Sequence, residues 1–284
     1  MKLDEVKCIA VIGSGIMGSG IAQIIAHAGY KTILYDVQRE ATLKGLDIIK
    51  KNLQSAVEKK KILKEEQDQL LSRITLSSNF SDLKCELVIE AIIERLETKS
   101  ELFTKLEMLN DHNTIICTNT SSIPITLLAK ELHHPERLVG MHFFNPAHIM
   151  TLVEVISGPA TSNENATTVF LLAQKMGKSP VMVKDAPGFI VNRIGKLYHT
   201  ESLKILEEQI AAMEAIDALL ESSGFKMGPF KLIDLIGVDA NLNVTKSLYD
   251  LFNQEPKFRP SRIQQQLVDA GSLGRKTGAG FYQY

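Results

Sequence analysis

Tryptophan is absent, cysteine occurs only three times, and no apolar run is long. Each shortage excludes something. Cys8, Cys85 and Cys117 lie far apart in the chain, each within an apolar, strand-like run. They read as reduced core residues of an intracellular protein, with no spacing that suggests a disulfide framework or a metal site. No stretch approaches the ~20 apolar residues of a membrane-spanning helix. The start, Met1-Lys2-Leu3-Asp4-Glu5, lacks the apolar segment of a secretory signal, so a cytoplasmic location is expected. Neither charge sign is in excess: 32 Lys and Arg against 33 Asp and Glu give a net charge of −1. No global field therefore draws the chain to nucleic acid or to a membrane surface. Internal repeats and low-complexity segments are also missing. What remains is an ordinary globular composition, 44% hydrophobic and 23% charged, over 284 residues. That length is comfortable for two domains.

Val6 to Ile12 is a short apolar run ending in glycines, as a buried parallel strand would be. Ile16 to Ala28 has helical spacing and stops at Gly29. Lys31 to Tyr35 is a second strand, closed by Asp36, which completes one βαβ unit. Residues 40–72 are charged and helical, with a helical-hairpin tip near Lys59-Lys60-Lys61. Further strands are expected at Ile74–Leu76, Leu87–Ile92, Thr114–Cys117, Leu138–His142, Leu152–Ile156 and Val181–Lys184. Helices fit between them at Thr98–Leu109, Ile125–Leu132 and Asn163–Lys175. This alternation predicts an α/β fold with a doubly wound, Rossmann-type, mostly parallel sheet and a helical hairpin insertion. After Ala186-Pro187-Gly188 only helical patterns appear. The boundary is placed there, giving a first domain of residues 1–186 and a smaller all-α domain of residues 187–284.

Gly13-Ser14-Gly15-Ile16-Met17-Gly18 follows a strand and opens a helix. In such a loop the first glycine permits the turn, the second admits a pyrophosphate to the backbone, and the third lets helix pack on strand. The helix N-terminus then offers amides to phosphate. Asp36 ends the next strand, where a carboxylate accepts from the ribose hydroxyls of NAD and repels the 2′-phosphate of NADP. Arg39 nearby keeps NADP as the lesser option.

Beside a nicotinamide, oxidation of an alcohol needs a group to take the proton, and histidine suits this near neutral pH. Of the seven histidines, His142 ends a predicted strand, where ligands bind in open α/β sheets; His148 follows in the same loop. Glu154 sits between Val153 and Val155, a costly place for a carboxylate unless it is paired. Pairing with His142 would orient the ring. Ser121 could donate to a substrate oxygen or simply cap a helix. Asn192 could reach a cleft between domains or act as a packing amide. Lys59, Lys60 and Lys61 could grip a phosphorylated carrier or form a solvated face. No metal site is expected.

Together these residues resemble the L-3-hydroxyacyl-CoA dehydrogenase family, in particular its short bacterial 3-hydroxybutyryl-CoA members. The resemblance covers nearly the whole chain. It rests on Val11 to Gly18, Asn119-Thr120-Ser121-Ser122, His142-Phe143-Phe144-Asn145-Pro146, Pro187 to Arg193, Met227-Gly228-Pro229 and Gly274 to Tyr282. It implies reversible oxidation of a short (S)-3-hydroxyacyl-CoA to the 3-oxoacyl-CoA, with NAD as cofactor. It implies His142 as acid/base with Glu154 as its partner, and Ser121 and Asn192 holding the 3-oxygen and the thioester side. It further implies Asp36 on the adenosine ribose, Glu94, Lys99 and Asn145 near the cofactor, and Lys276 near the nicotinamide end. The hairpin would cradle coenzyme A, with Lys59 a basic contact and Asn52 standing where other members often have serine. A homodimer through the helical domain follows from the same resemblance. Ser222-Ser223-Gly224-Phe225-Lys226 departs from the family pattern in a loop expected at the acyl end or the dimer interface. The alternatives are a sugar-acid (gulonate-type) or β-hydroxyacid dehydrogenase, and a non-catalytic NAD-binding protein.

Overall fold

The computed structural model describes residues 1–284, and the chain divides into two compact units, Met1–Ala186 and Pro187–Tyr284. The first is built on eight strands: β1 (Cys8–Ile12), β2 (Lys31–Tyr35), β3 (Ile74–Ser77), β4 (Leu87–Glu90), β5 (Ile115–Thr118), β6 (Leu138–Phe143), β7 (Leu152–Ser157) and β8 (Ser179–Lys184). They form one sheet in the order β3-β2-β1-β4-β5-β6-β7-β8. Strands β1 to β6 run parallel, β7 is antiparallel to β6, and β8 is parallel to β7. Buried positions run unbroken along β4, β5 and β6, as expected where helices cover both faces. The crossings and the hairpin are supplied by α1 (Ile16–His27), α2 (Arg39–Glu58), α3 (Lys64–Ser72), α4 (Leu96–Leu109), α5 (Ile125–Ala129) and α6 (Asn163–Lys175). The chain winds outward from β1 to β3, then returns to β4 on the other side of β1. Beyond their carboxyl ends, β1 and β4 therefore leave the crevice of a topological switch point.

The mostly parallel sheet, the hairpin and the helical second unit match the sequence expectations. The differences are local. Strand β4 stops at Glu90 rather than Ile92, because the Glu90 carboxylate folds back to accept from the Ile92 amide at 2.7 Å and from Lys99. Helix α5 ends at Ala129, three residues short of the expected end. After Pro187, Gly188 and Phe189 take positive φ (70° and 52°), so the chain turns before the helical pattern begins. A side chain at Gly188 would collide with Leu248.

The second unit holds α7 (Val191–Glu207), α8 (Met213–Ser222), α9 (Pro229–Ile236), α10 (Val238–Leu251) and α11 (Arg262–Asp269). Leu203, Ile216, Phe230, Ile233 and Val238 form its core. Two buried aspartates tie the C-terminal segment down. Asp217 accepts from the amides of Phe230 and Lys231, which start α9, and from the Tyr282 hydroxyl at 2.8 Å. Asp234 accepts from the amides of Phe281 and Tyr282, both at 2.9 Å. In the departing loop, Phe225 stacks on Tyr198 with ring centroids 4.7 Å apart. No helix is long and apolar enough to cross a membrane.

Lys196 is buried on α7, its Nζ donating to the Asn241 carbonyl at 2.7 Å. His199 lies one turn on, its Nδ1 beside the Asn241 amide. Burial pushes the Lys196 amine down to about 7. In the unfolded chain a lysine titrates near ~10.4, so between those values the unfolded state binds more protons. The stability of this unit should therefore rise by a few kcal/mol as the pH goes from neutral toward 10. Urea unfolding across that range checks this, and Lys196→Met should flatten the rise.

Candidate functional site

Each glycine of the loop after β1 has a different physical reason. Gly13 has φ 97°, and a Cβ there would press on the Ala91 carbonyl beyond β4. A Cβ at Gly18 would sit on the Gly13 carbonyl. Both are demanded by the fold. Gly15 is not: its φ of −67° and ψ of −169° suit any residue, and a Cβ there meets nothing within 4 Å. It leaves open space in front of α1, whose first turn has no side-chain cap. That is the cradle a pyrophosphate needs. Ser14 donates to Asp36 through both its amide and its hydroxyl, each at 3.0 Å. The Gln38 amide reaches the other Asp36 oxygen at 3.3 Å. Asp36 is thus held at the end of β2, beside the loop.

The antiparallel register places His142 directly opposite Glu154. Opposed residues on one face lie close enough for their side chains to meet, and Nδ1 of His142 stands 2.7 Å from Oε2 of Glu154. Both are buried, at 5% and 1% exposure. Because β7 lies between β6 and β8, Glu154 is on no edge. Phe144 packs on the imidazole with centroids 4.5 Å apart. The ring is fixed by an acid on one nitrogen and an aromatic on its face.

A second ionic group lies under the loops after β4 and β5. Lys99 of α4, 1% exposed, bridges Glu90 at 2.7 Å and Glu94 at 3.0 Å. Thr118 at the end of β5 donates to Glu90 at 2.6 Å. Glu94 Oε1 then gathers the next loop, accepting from the amides of Ser121 and Ser122 at 2.8 and 3.1 Å and from the Thr120 hydroxyl. Burial alone would push Glu94 up, but Lys99, Thr120 and the Ser121 amide together hold its carboxyl below the ordinary range. Glu94 therefore acts as an anionic clamp on the Ser121 turn, and Lys99 lies beneath the surface rather than in reach of a ligand. Sequence reasoning missed Glu90, Thr118 and Thr120. It also missed Asn119, whose Oδ1 accepts from the Phe143 amide at 2.8 Å and ties the end of β5 to the end of β6. A carboxylate in an otherwise apolar strand, Glu90, was the available signal.

The hairpin forms a cleft of about 390 Å³ lined among others by Gln23, His27, Asn52, Lys59, Lys61 and His148. Asn52 donates to Gln23 at 3.1 Å, so the amide is already engaged. Burial, then the charge of Lys178, lowers the His148 pKa. Asn145 is exposed beyond β6 and precedes a cis proline. In the second unit, Lys276 is paired with Asp239 near the start of α10, at 2.6 Å. Asn192 is the second residue of α7.

A family model described as 3-hydroxyacyl-CoA dehydrogenase, NAD binding domain, matches residues 8–186, and one for the C-terminal domain of the same enzymes matches residues 188–284. The chain is 46% identical to a 3-hydroxyadipyl-CoA dehydrogenase of Escherichia coli over 99% of its own length, but spans only 59% of that relative. It is 41% identical to a 3-hydroxybutyryl-CoA dehydrogenase of Clostridioides difficile, covering 97% of this chain and 99% of the relative. The crystal structure of (S)-3-hydroxybutyryl-CoA dehydrogenase from Ralstonia eutropha superposes with a TM-score of 0.95 at 38% identity, over 99% of each chain.

The glycine geometry separates fold from binding. Gly15→Ala should melt within a few degrees of the parent yet bind NADH at least ~10-fold more weakly, a loss of about 1.4 kcal/mol. Gly18→Ala should instead lower the melting temperature. Fluorescence titration with NADH, run beside thermal unfolding, tests both.

Proposed function

This chain belongs to the 3-hydroxyacyl-CoA dehydrogenase family, and we propose that it performs the reversible, NAD-dependent oxidation of a short (S)-3-hydroxyacyl-CoA, 3-hydroxybutyryl-CoA by preference, to the 3-oxoacyl-CoA. The observation that carries the reading is the buried His142–Glu154 pair, 2.7 Å apart at the carboxyl end of β6. Glu154 engages Nδ1, which assigns the proton chemistry to Nε2. His142 takes the substrate hydroxyl proton through Nε2, and Glu154 stabilises the imidazolium that results, as the acid of a catalytic triad does. In the reverse direction the same nitrogen returns the proton to the 3-oxo oxygen. NAD, when bound, supplies the hydride acceptor, and Gly13 to Gly18 with Asp36 are the residues that fit it. The Asp36 carboxylate at the ribose end opposes a 2′-phosphate, which favours NAD over NADP.

Ser121 is held at the Glu94 clamp and is assigned to the 3-oxygen. Asn192 is assigned to the thioester side. The exposed hairpin cleft, with Lys59 and Lys61 at its rim and no acidic residue among those lining it, suits an anionic carrier such as coenzyme A. Short-chain preference is supported by the names of the relatives from Clostridioides difficile and Ralstonia eutropha. The free-acid alternatives are not favoured, since position 192 is asparagine rather than the lysine base of β-hydroxyacid dehydrogenases. Pairing of two chains through the helical unit is supported by exposed Ile194 and Leu197 on α7 and Leu235 and Ile236 on α9. Such an apolar surface is costly to leave in water.

NADH oxidation with acetoacetyl-CoA, run beside NADPH and beside free acetoacetate, tests the reading. Fast turnover is expected only with the thioester and NADH; equal rates on the free acid would overturn it. His142→Gln should lower kcat by ~10²–10⁴-fold with NADH affinity unchanged. Lys59→Ala should raise KM for acetoacetyl-CoA several-fold and leave kcat near the parent value.

A further inference from the structure

The sheet brings together two cysteines that are 77 residues apart in sequence. Cys8 opens β1, and Cys85 lies two residues before β4, where Ile9 pairs with Leu87. Their Sγ atoms are 3.3 Å apart. Both backbones are anchored. The amides of Lys7 and Cys8 donate to Glu86 at 3.1 and 2.8 Å. The Cys85 amide donates to Asn110 at 3.1 Å, and its carbonyl accepts from Thr114 at 3.0 Å. A disulfide needs ~2.05 Å between sulfurs, so the remaining approach is about an ångström. Cys85 is buried and Cys8 is partly exposed, which gives one sulfur access to a small oxidant and shields the other.

We propose that Cys8 and Cys85 are a peroxide-oxidisable dithiol that closes to an intrachain disulfide. The hydrogen bond from the Cys85 thiol lowers the Cys8 thiol, with Lys31 assisting against burial and Glu86. Donating that bond, together with burial, pushes Cys85 up. Cys8 is therefore the sulfur that reacts first, since the thiolate is the nucleophile. Its thiolate attacks one oxygen of hydrogen peroxide, the O–O bond breaks, and Cys8 becomes a sulfenic acid while hydroxide leaves and is protonated to water. The Cys85 sulfur then attacks the Cys8 sulfur, the S–O bond breaks, and a second water departs with the Cys85 proton. Two thiols lose two electrons and one peroxide is reduced to two waters.

The pair lies at the start of β1, whereas the dinucleotide loop follows its end five residues later, roughly 15 Å away at the usual rise per residue. The bond would enclose α1, β2, the hairpin and β3 in one covalent loop without touching the site. It constrains the unfolded chain and leaves catalysis alone. Cys117 provides an internal control: it is wholly buried, burial pushes its thiol up, and no second cysteine is beside it.

Trypsin cuts after Lys7 and Lys84 and places each of the three cysteines in a separate peptide. The intact enzyme, reduced and then exposed to hydrogen peroxide, is denatured and alkylated. The expected result is a fall from three alkylated thiols to one, at Cys117, with a cross-linked pair of peptides beginning at Cys8 and Cys85 that dithiothreitol separates. The oxidised enzyme should melt higher than the reduced one and keep NADH-dependent turnover within about twofold. Cys8→Ser and Cys8→Ala should each abolish the cross-link and leave Cys85 alkylatable. Three alkylated thiols after treatment, or Cys8 oxidised to sulfinic acid with Cys85 still free, would overturn the proposal. The thiol count is independent of the reaction assigned above, so failure of one leaves the other standing.

Discussion

One contact organises the first unit's chemistry: the 2.7 Å hydrogen bond between His142 and Glu154, made possible by a single reversal of strand direction. A parallel neighbour to β6 would need a crossover of a dozen or more residues. Only eight residues separate β6 from β7, too few for that, so β7 must return antiparallel. Antiparallel register then sets position 154 opposite position 142. A carboxylate is costly to bury alone, and the imidazole opposite gives it a hydrogen-bond partner. The pair is therefore both a packing solution for the far side of the sheet and an oriented imidazole at its carboxyl end.

The remaining site residues hang on a second buried set that solves the same problem differently. Lys99 sits between Glu90 and Glu94, and each carboxylate also takes donors from the β5 end or the loop after it. Lys99 holds both acids, and the free side of Glu94 faces the Ser121 turn, which supplies amides and a hydroxyl to it. The loops after β4, β5 and β6 are consequently cross-braced: Glu94 holds the Ser121 turn, and Asn119 holds Phe143. Loops that would otherwise be the mobile part of a parallel sheet become a fixed wall. Preorganisation of this kind is what lets a site orient a substrate without reorganising around it.

The sheet and its punctuation could be read from the chain because their signals are local. Apolar runs ending in glycine mark β1, and a carboxylate between valines marks β7. His142 and Glu154 are twelve residues apart with one turn between them, so their meeting needs only strand alternation and a hairpin. The Glu90–Lys99–Thr118 contacts involve three elements whose neighbourhood depends on sheet order, and nothing near Lys99 in sequence signals that it is buried. The same holds for Cys8 and Cys85, which look like unrelated core residues until β1 and β4 become neighbours. Asn192 falls at the start of α7 because two successive positive-φ residues delay the helix, a conformation that the helical pattern from Phe189 onward does not announce.

The three loop glycines answer to different physical causes. Gly13 and Gly18 are both fixed by backbone crowding: the Ala91 carbonyl occupies the space a Cβ on Gly13 would need, and the Gly13 carbonyl occupies the space a Cβ on Gly18 would need. Any protein folding this strand, turn and helix so tightly would require them, whether or not it binds a ligand. Gly15 is different, because the fold would accept a side chain there. Its missing Cβ benefits only something that approaches the backbone from outside. The part of this loop that speaks for a cofactor is thus a single residue and the unclaimed space before α1, with Asp36 braced by Ser14 at the end of the neighbouring strand. Fold and function share the motif, and the position that the fold does not need is the one that carries the functional information.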